Sequence, residues 1–215
     1  MVIKKPLLCF DLDGTILDSI DAHVEAYKIA LKKNNVKFPG KAKLVANFGE
    51  AHGKILKKLF PKMSDRKLKK ILADNKEARK ETFHMIKAYP HVLEALLKLK
   101  KHFKIGIVSN SYHDNVYESL EIAKIPTKLF DVIIGEDDAK PKPSPAEILL
   151  AEKLTKADAK YMVGDTIFDI KAGKKANCKT IAIISAKSDF NKLMKAKPDI
   201  LASSVAILPD ILLNK

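Results

Sequence analysis

The sequence predicts an α/β fold built on a parallel sheet, with an all-helical insertion after the first strand. From residue 90 onward, short apolar runs alternate with helical patterns, as is typical of βαβ units. Between the first two strand-like runs, residues 20–89 show helical periodicity and no convincing strand. Polar residues follow closely on four of the runs, at the end where open α/β sheets build their sites.

Strand-like runs and helical patterns divide the chain in order. Strands are predicted near residues 7–11, 104–109, 131–135, 160–164 and 179–184. Helices are predicted near residues 91–101, 113–124, 144–154 and 167–176. The sheet edge would be completed by a helix over 188–196, a strand over 199–202 and a helix over 205–213. These elements predict a Rossmann-like parallel sheet with helices on both faces.

The insertion shows the apolar periodicity that is typical of amphipathic helices, and this periodicity is interrupted at Pro39-Gly40 and Pro61. We expect about four helices in it. The predicted division is therefore an α/β core over residues 1–17 and 90–215, and a helical domain over residues 18–89.

Composition limits the setting of the protein. Of the 215 residues, 47% are hydrophobic, and no apolar run approaches the ~18 residues of a membrane span. No apolar core of a secretory signal precedes the first strand. Cys9 and Cys178 lie in strand-like contexts and are expected to be buried free thiols. Together these features predict a cytoplasmic protein.

The net charge of +14 raises the possibility of a nucleic-acid partner. Arg66 and Arg79 are the only arginines among 40 basic residues, whereas readers of phosphate and guanine favour the arginine fork. The lysines are spread along helical faces, so a solvated surface that steers anionic substrates is the better interpretation.

Asp11 and Asp13 follow the apolar run over residues 7–10 and precede Gly14. Because side chains alternate along a strand, both carboxylates begin on the same side, a few ångströms apart. Two acids at that separation repel each other unless a cation or a shared proton relieves them. Mg²⁺ takes oxygen ligands and accompanies phosphates, so it is the expected cofactor.

Three further polar motifs follow later predicted strands. They are Ser109-Asn110-Ser111, then Lys140-Pro141-Lys142-Pro143-Ser144-Pro145, then Gly164-Asp165-Thr166-Ile167-Phe168-Asp169. Each is unremarkable alone, but their order together with Asp11 and Asp13 is difficult to explain by chance.

With these four motifs the chain resembles the haloacid dehalogenase-like hydrolase superfamily, from Cys9 to the region of Thr180. It is most similar to the phosphoglycolate phosphatase and β-phosphoglucomutase type. The resemblance implies that residues 18–89 form a mobile helical cap that closes over the site. Asp18 and Tyr89-Pro90 would then be its hinges.

The resemblance also implies catalytic roles. Asp11 would attack phosphorus to give an aspartyl phosphate, and Asp13 would protonate the leaving group and then activate water. The metal ligands would be the Asp11 side chain, the Asp13 main-chain carbonyl and Asp165. Asp169 would lie behind these ligands, and its direct contact with the metal is left open. The alternative for Asp169 is a structural role, in which its negative charge interacts favourably with a helix N-terminus.

Phosphate contacts are expected from the Ser109 hydroxyl, the Asn110 backbone N–H, and the N–H groups of Gly14 and Thr15. Simple helix capping is the alternative for Ser109. Lys140 would balance the phosphoryl charge, since the subfamily's lysine precedes the first proline of Lys-Pro-x-Pro; Lys142 is the competing choice.

Specificity should lie in the cap, where the sequence is least informative. His52 and Lys54 are candidates for contact with a second anionic group, with a solvated helix start as the alternative. The other histidines lack metal-like spacing and are expected at the surface or in caps: His23, His84, His91, His102 and His113.

These observations favour a Mg²⁺-dependent phosphatase acting on a small phosphate monoester, and the resemblance implies a phosphoglycolate-like substrate. A β-phosphoglucomutase-like phosphotransferase and a pyrophosphatase are the alternatives. A lysine-rich anion- or nucleic-acid-binding module is disfavoured, because a binder needs no such set of acids. The expected partner is a small phosphorylated metabolite, and the expected state is a monomer or homodimer.

Overall fold

The computed structural model of the chain describes residues 5–184 and 190–214. Its strands are β1 Leu7–Phe10, β2 Leu17–Asp18, β3 Lys87–Ala88, β4 Lys104–Val108, β5 Val132–Ile134, β6 Ala159–Gly164, β7 Lys179–Ile183 and β8 Ile200–Ala202. Its first five helices are α1 Ile20–Lys33, α2 Lys41–Val45, α3 His52–Leu59, α4 Asp65–Thr82 and α5 Val92–Lys100. The others are α6 His113–Ile122, α7 Ala146–Thr155, α8 Ile167–Lys175, α9 Phe190–Lys195 and α10 Leu208–Leu213.

Six of the described strands form one parallel sheet in the order β5-β4-β1-β6-β7-β8. The first strand of the chain therefore lies in the middle, between β4 and β6. Because all six strands run the same way, their carboxyl ends meet at one edge, on both sides of Asp11. The predicted α/β fold with a parallel sheet is confirmed.

Alternate residues of β1 enter opposite halves of the core. Leu8 and Phe10 pack in a cluster with α5 and α6, whereas Leu7 and Cys9 pack in a cluster with α7 and α8. All four side chains are fully buried. A strand covered on both faces accounts for the uninterrupted apolar run that precedes the two acids.

Residues 18–89, here called the cap, contain α1 to α4 and have an apolar core of their own. Tyr27, Leu56 and Ile71 are among its buried members. The two segments where the chain passes between the core and the cap, β2 and β3, pair as antiparallel strands. Leu17 lies opposite Ala88, and Asp18 lies opposite Lys87. This short ribbon lies where the hinges at Asp18 and Tyr89-Pro90 are predicted.

The C-terminal elements complete the sheet edge as expected. The predicted helix over 188–196 is described as α9 from Phe190, and residues 188 and 189 lie outside the described residues. The predicted helix over 205–213 is a 3₁₀ turn, Val205–Ile207, followed by α10. Among the residues described, no helix has the length and apolar character needed to cross a membrane.

Two neighbouring leucines of α5 test this packing. Leu96 is fully buried in the cluster that also holds Phe10, whereas Leu97 is 51% exposed. Leu96→Ala should lower the free energy of unfolding by about 2–5 kcal/mol, because it leaves a cavity against the sheet. Leu97→Ala, the matched control, should change it by no more than about 0.5 kcal/mol. Urea titration measures both, and equal losses would contradict the packing described.

Candidate active site

One cavity at the carboxyl edge of the sheet brings together residues from all four motifs. Asp11 follows β1, Ser109 follows β4, Lys142 lies on the loop between β5 and α7, and Asp165 follows β6. Each of these four residues is at most 7% exposed. The topology alone explains the convergence, because β1 lies between β4 and β6.

The lysine in this cavity is Lys142, and the expectation for Lys140 is corrected. The Lys142 ammonium donates to Asp11 Oδ1 at 2.6 Å, to Asp169 Oδ1 at 2.6 Å and to the Val108 carbonyl at 2.8 Å. Lys140 is exposed and does not line the cavity. Both lysines begin a Lys-Pro-x-Pro sequence, and only the second, two residues nearer to α7, points inward.

The charges of Lys142, Asp11 and Asp169 depend on one another. Burial opposes the charge of Lys142, but Asp11 and Asp169 outweigh burial and raise the pKa of the ammonium. Burial also raises the pKa of Asp11, to about 7, with Asp169 and Asp13 adding to the rise and Lys142 opposing it. A buried carboxylate in this setting needs its cation, since an isolated charge here would be costly.

Asp169 also lines the cavity, and its carboxylate is held from both sides. Its Oδ1 accepts from Lys142, while its Oδ2 accepts from the Thr166 backbone N–H at 3.0 Å and from the Thr166 hydroxyl at 2.6 Å. Thr166 and Asp169 form a capping box at the start of α8. A Cβ on Gly164 would lie 2.3 Å from the Asp169 carboxyl carbon, so glycine is required there.

Asp165 supplies the clearest signal for a cation. Its Oδ1 is buried and has no hydrogen-bond partner among the residues that the structure describes. Carboxylate oxygens of Asp11, Asp165 and Asp169 all lie within 4.8 Å of one another. Burial, together with the charges of Asp11 and Asp169, raises the pKa of Asp165 well above its usual value. A hard divalent cation would relieve this repulsion and satisfy the orphaned oxygen, so the residues fit Mg²⁺.

Asp13 faces the cap and is held by three hydrogen bonds. Its Oδ1 accepts from the Ser19 hydroxyl at 2.5 Å and from His23 Nε2 at 2.9 Å, and its Oδ2 accepts from the Ser111 hydroxyl at 2.9 Å. Burial alone would raise the pKa of Asp13. The nearby His23 ring and the bonds from His23 and Ser19 outweigh burial and hold the pKa well below its usual range.

His23 therefore differs from the surface or capping position expected for it. It is buried on α1, and its ring reaches from the cap to Asp13 in the core. The helical repeat contained this signal, because His23 lies three residues after Ile20 and four before Tyr27, both of which are buried.

The N–H groups of Gly14 and Thr15 are not available to a phosphate in this structure. Gly14 N–H donates to the Leu17 carbonyl at 2.8 Å, and Thr15 N–H donates to the Leu12 carbonyl at 3.3 Å. Gly14 has a different function in the turn. With φ at +84°, it leaves room for Asp165, whose Oδ2 would lie 2.3 Å from a Cβ at this position.

Ser109 and Asn110 line the cavity as expected. Ser109 is 1% exposed, and its hydroxyl accepts from the Ser111 backbone N–H at 3.2 Å. This contact lies within the loop before α6, so Ser109 does not cap that helix directly. The Asn110 side chain contacts the loop that carries Lys142, a contact that sequence reasoning did not anticipate.

The cap covers the cavity with mostly apolar side chains. Its contribution to the lining is Ile20, His23, Tyr27, Phe48, Gly49, Glu50 and Ile55. Glu50 forms an ion pair with Lys58. The candidate Lys54 is exposed and outside this lining, and the side chain of the candidate His52 lies outside the described residues.

Two further residues, Ser19 and Thr166, were missed by sequence reasoning. Ser19 precedes α1 but gives its hydroxyl to Asp13 instead of capping the helix. Thr166 and Asp169 match the Thr-x-x-Asp spacing of a capping box, and that signal was available in the sequence.

Comparison with known proteins agrees with the fold and the motifs. The family model for haloacid dehalogenase-like hydrolases matches residues 8–183. Pyrophosphatase PpaX of Oceanobacillus iheyensis is 30% identical over 203 residues, covering 92% of each chain. Pyrophosphatase PpaX of Listeria monocytogenes is 27% identical, covering 97% of this chain and 96% of the relative.

Solved structures share the whole architecture. A hydrolase from Pseudomonas syringae has a TM-score of 0.86 at 25% identity, covering 98% of this chain and 99% of the other. A structure described as a predicted phosphoglycolate phosphatase from Haemophilus somnus has a TM-score of 0.85 at 22% identity, with the same coverage, and supports the fold alone. With a family model that spans most of its length, the chain belongs to the haloacid dehalogenase-like hydrolases.

Proposed function

We propose that the protein is a Mg²⁺-dependent phosphatase that hydrolyses a small phosphate monoester through an aspartyl phosphate on Asp11. The supporting observation is the arrangement at the cavity floor. There the buried Asp11 carboxylate is held by Lys142, beside an Asp165 oxygen that accepts no hydrogen bond from the described part of the chain. A carboxylate fixed in this way can attack phosphorus in line.

Lys142 keeps the nucleophile oriented and offsets its charge. Its three hydrogen bonds fix the ammonium between Asp11 and Asp169, so its position does not depend on substrate. As the phosphoryl group arrives, the same positive charge would stabilise the negative charge that develops on its oxygens.

Asp13, which faces the cap, would act as acid and then as base, and its acid step requires the protonated form. In the observed arrangement His23, Ser19 and Ser111 all donate to its carboxylate, which favours the ionised form. This is the form needed to take a proton from water when the aspartyl phosphate is hydrolysed.

The metal would be held by the Asp11 and Asp165 carboxylates, with the Asp13 main-chain carbonyl as a further ligand. When bound, Mg²⁺ neutralises charge on the phosphoryl oxygens. Asp169 would support the site through Lys142, because both of its oxygens already accept hydrogen bonds.

Pyrophosphate is the second candidate substrate, and the names of the two pyrophosphatase relatives favour it. The phosphotransferase alternative needs a grip for a second phosphate in the cap. Among the described residues that line the cavity, the cap offers neither lysine nor arginine for this, which favours hydrolysis.

Magnesium dependence and substrate are tested by one panel. Purified protein should release phosphate from 2-phosphoglycolate, other small monoesters or pyrophosphate with Mg²⁺, and chelator should remove the activity. A preference for pyrophosphate would identify pyrophosphate, and not a monoester, as the substrate. Interconversion of a sugar phosphate with a bisphosphate primer, without net release, would contradict the phosphatase proposal.

Asp11→Asn should lower kcat by roughly a thousandfold or more, because the amide cannot act as the nucleophile. The melting temperature should not fall, since the change removes one of the crowded carboxylates. Steady-state phosphate release and thermal melting measure the two effects. Full activity in the variant would refute the mechanism.

Lys142→Ala and Lys140→Ala form a matched pair on the same loop. Lys142→Ala should lower kcat by about 10²–10³-fold, by analogy with the loss of a group that stabilises transition-state charge. Lys140→Ala should leave kcat within about twofold, because its side chain is exposed. Circular dichroism shows whether both variants are folded, and the reverse order of effects would restore Lys140 as the functional lysine.

A further inference from the structure

The cap contacts the active-site loops through the turn before α3, at Gly49. This residue has φ of +89°, which side chains rarely tolerate, and it touches the start of α8. A Cβ at Gly49 would lie 2.8 Å from Thr166 Cγ2 and 2.9 Å from Phe168 Cδ2. The approach of cap to core at this point therefore requires glycine.

The Asn110 side chain bonds to both sides of this contact. Its Nδ2 donates to the Gly49 carbonyl at 2.7 Å and to the Lys142 carbonyl at 3.0 Å. Its Oδ1 accepts from the Lys142 backbone N–H at 2.8 Å. Both hydrogens of the amide and its oxygen are thus engaged, and the residue is only 8% exposed.

We propose that Asn110 is a positioning residue that links closure of the cap to the alignment of Lys142. Two of its bonds fix the main chain of Lys142, whose ammonium holds Asp11 and Asp169. The third bond exists only while Gly49 lies against the core. Because one planar amide makes all three bonds, contact with the cap fixes the amide plane that orients the Lys142 backbone.

The structural part of this proposal is independent of the substrate. Its effect on turnover rests on the proposed function, because it acts through Lys142. Cap opening would remove the Gly49 acceptor and expose the amide to water, while the two bonds to Lys142 could persist in a less restrained form. Closure would then complete the alignment of the lysine as the cap covers the phosphoryl group.

Gly49→Ala and Gly40→Ala separate closure from backbone strain. Gly40 also lies in the cap and has φ of +94°, but a Cβ there would meet no atom of the described residues within 4 Å. Both variants should lose stability through strain. Only Gly49→Ala should speed hydrogen exchange in residues 46–51 and lower kcat/KM by about tenfold, by holding the cap away from the core.

Asn110→Asp and Asn110→Ala test the amide itself. The aspartate keeps an acceptor for the Lys142 N–H but presents an oxygen to two carbonyls, so it should speed exchange in residues 46–51 as strongly as the alanine. Both should lower kcat by about tenfold or more while KM changes less, because alignment of Lys142 is lost. The mass-spectrometric exchange readout needs only the purified full chain.

Two outcomes would overturn the proposal. One is exchange in residues 46–51 that is unchanged in both Asn110 variants. The other is an equal effect of Gly49→Ala and Gly40→Ala on hydrogen exchange in residues 46–51 and on kcat/KM. If the unmodified protein releases no phosphate from any substrate, the proposed function fails, yet the exchange comparison still decides whether Asn110 holds the cap.

Discussion

The ion cluster of Lys142 with Asp11 and Asp169 is the interaction on which the rest of the site depends. Three carboxylates meet at the end of the sheet, and a buried group of like charges is unstable without compensation. One lysine supplies part of that compensation from within the chain. The remaining excess, at Asp165, is what makes the site suited to a divalent cation.

The fold makes this cluster possible by placing β1 in the middle of a sheet that is covered on both faces. Asp11 is tied to the neighbouring strand by its backbone N–H, which donates to the Val163 carbonyl at 2.8 Å. Gly14 and Gly164 then leave room for Asp165 and Asp169 to come close. The backbone geometry holds the acids close together. The repulsion among their carboxylates is therefore offset by the folding stability of the whole core.

The cap supplies a different environment from the floor. Its apolar side chains, such as Tyr27, Phe48 and Ile55, exclude water above the charged residues. Electrostatic interactions strengthen where water is excluded, so this apolar roof strengthens the interactions of Lys142 with Asp11 and Asp169. His23 and Ser19 join this roof to Asp13, so the cap also holds the carboxylate that we propose as acid and base.

Much of this arrangement could be predicted from the sequence, because it follows from local patterns. Alternating apolar runs predicted the parallel sheet, and the motifs at strand ends predicted where Asp11, Ser109 and Asp165 lie. The choice between Lys140 and Lys142 could not be made locally, since both fit the same pattern and only the path of the loop distinguishes them. The contacts of Asn110 with Gly49 were also beyond local patterns, because they join segments 61 residues apart.

The most direct test of the account is to trap the phosphoryl group on the enzyme. In Asp13→Asn, a substrate with a good leaving group such as p-nitrophenyl phosphate should still phosphorylate the nucleophile, while hydrolysis of the intermediate is blocked. Acid quench, borohydride reduction and peptide mass spectrometry would locate the acyl phosphate. The account predicts modification at Asp11 alone. Modification at another residue would contradict the account. So would phosphate release by the protein with Asp13 intact if no acyl phosphate can be trapped in that protein or in Asp13→Asn.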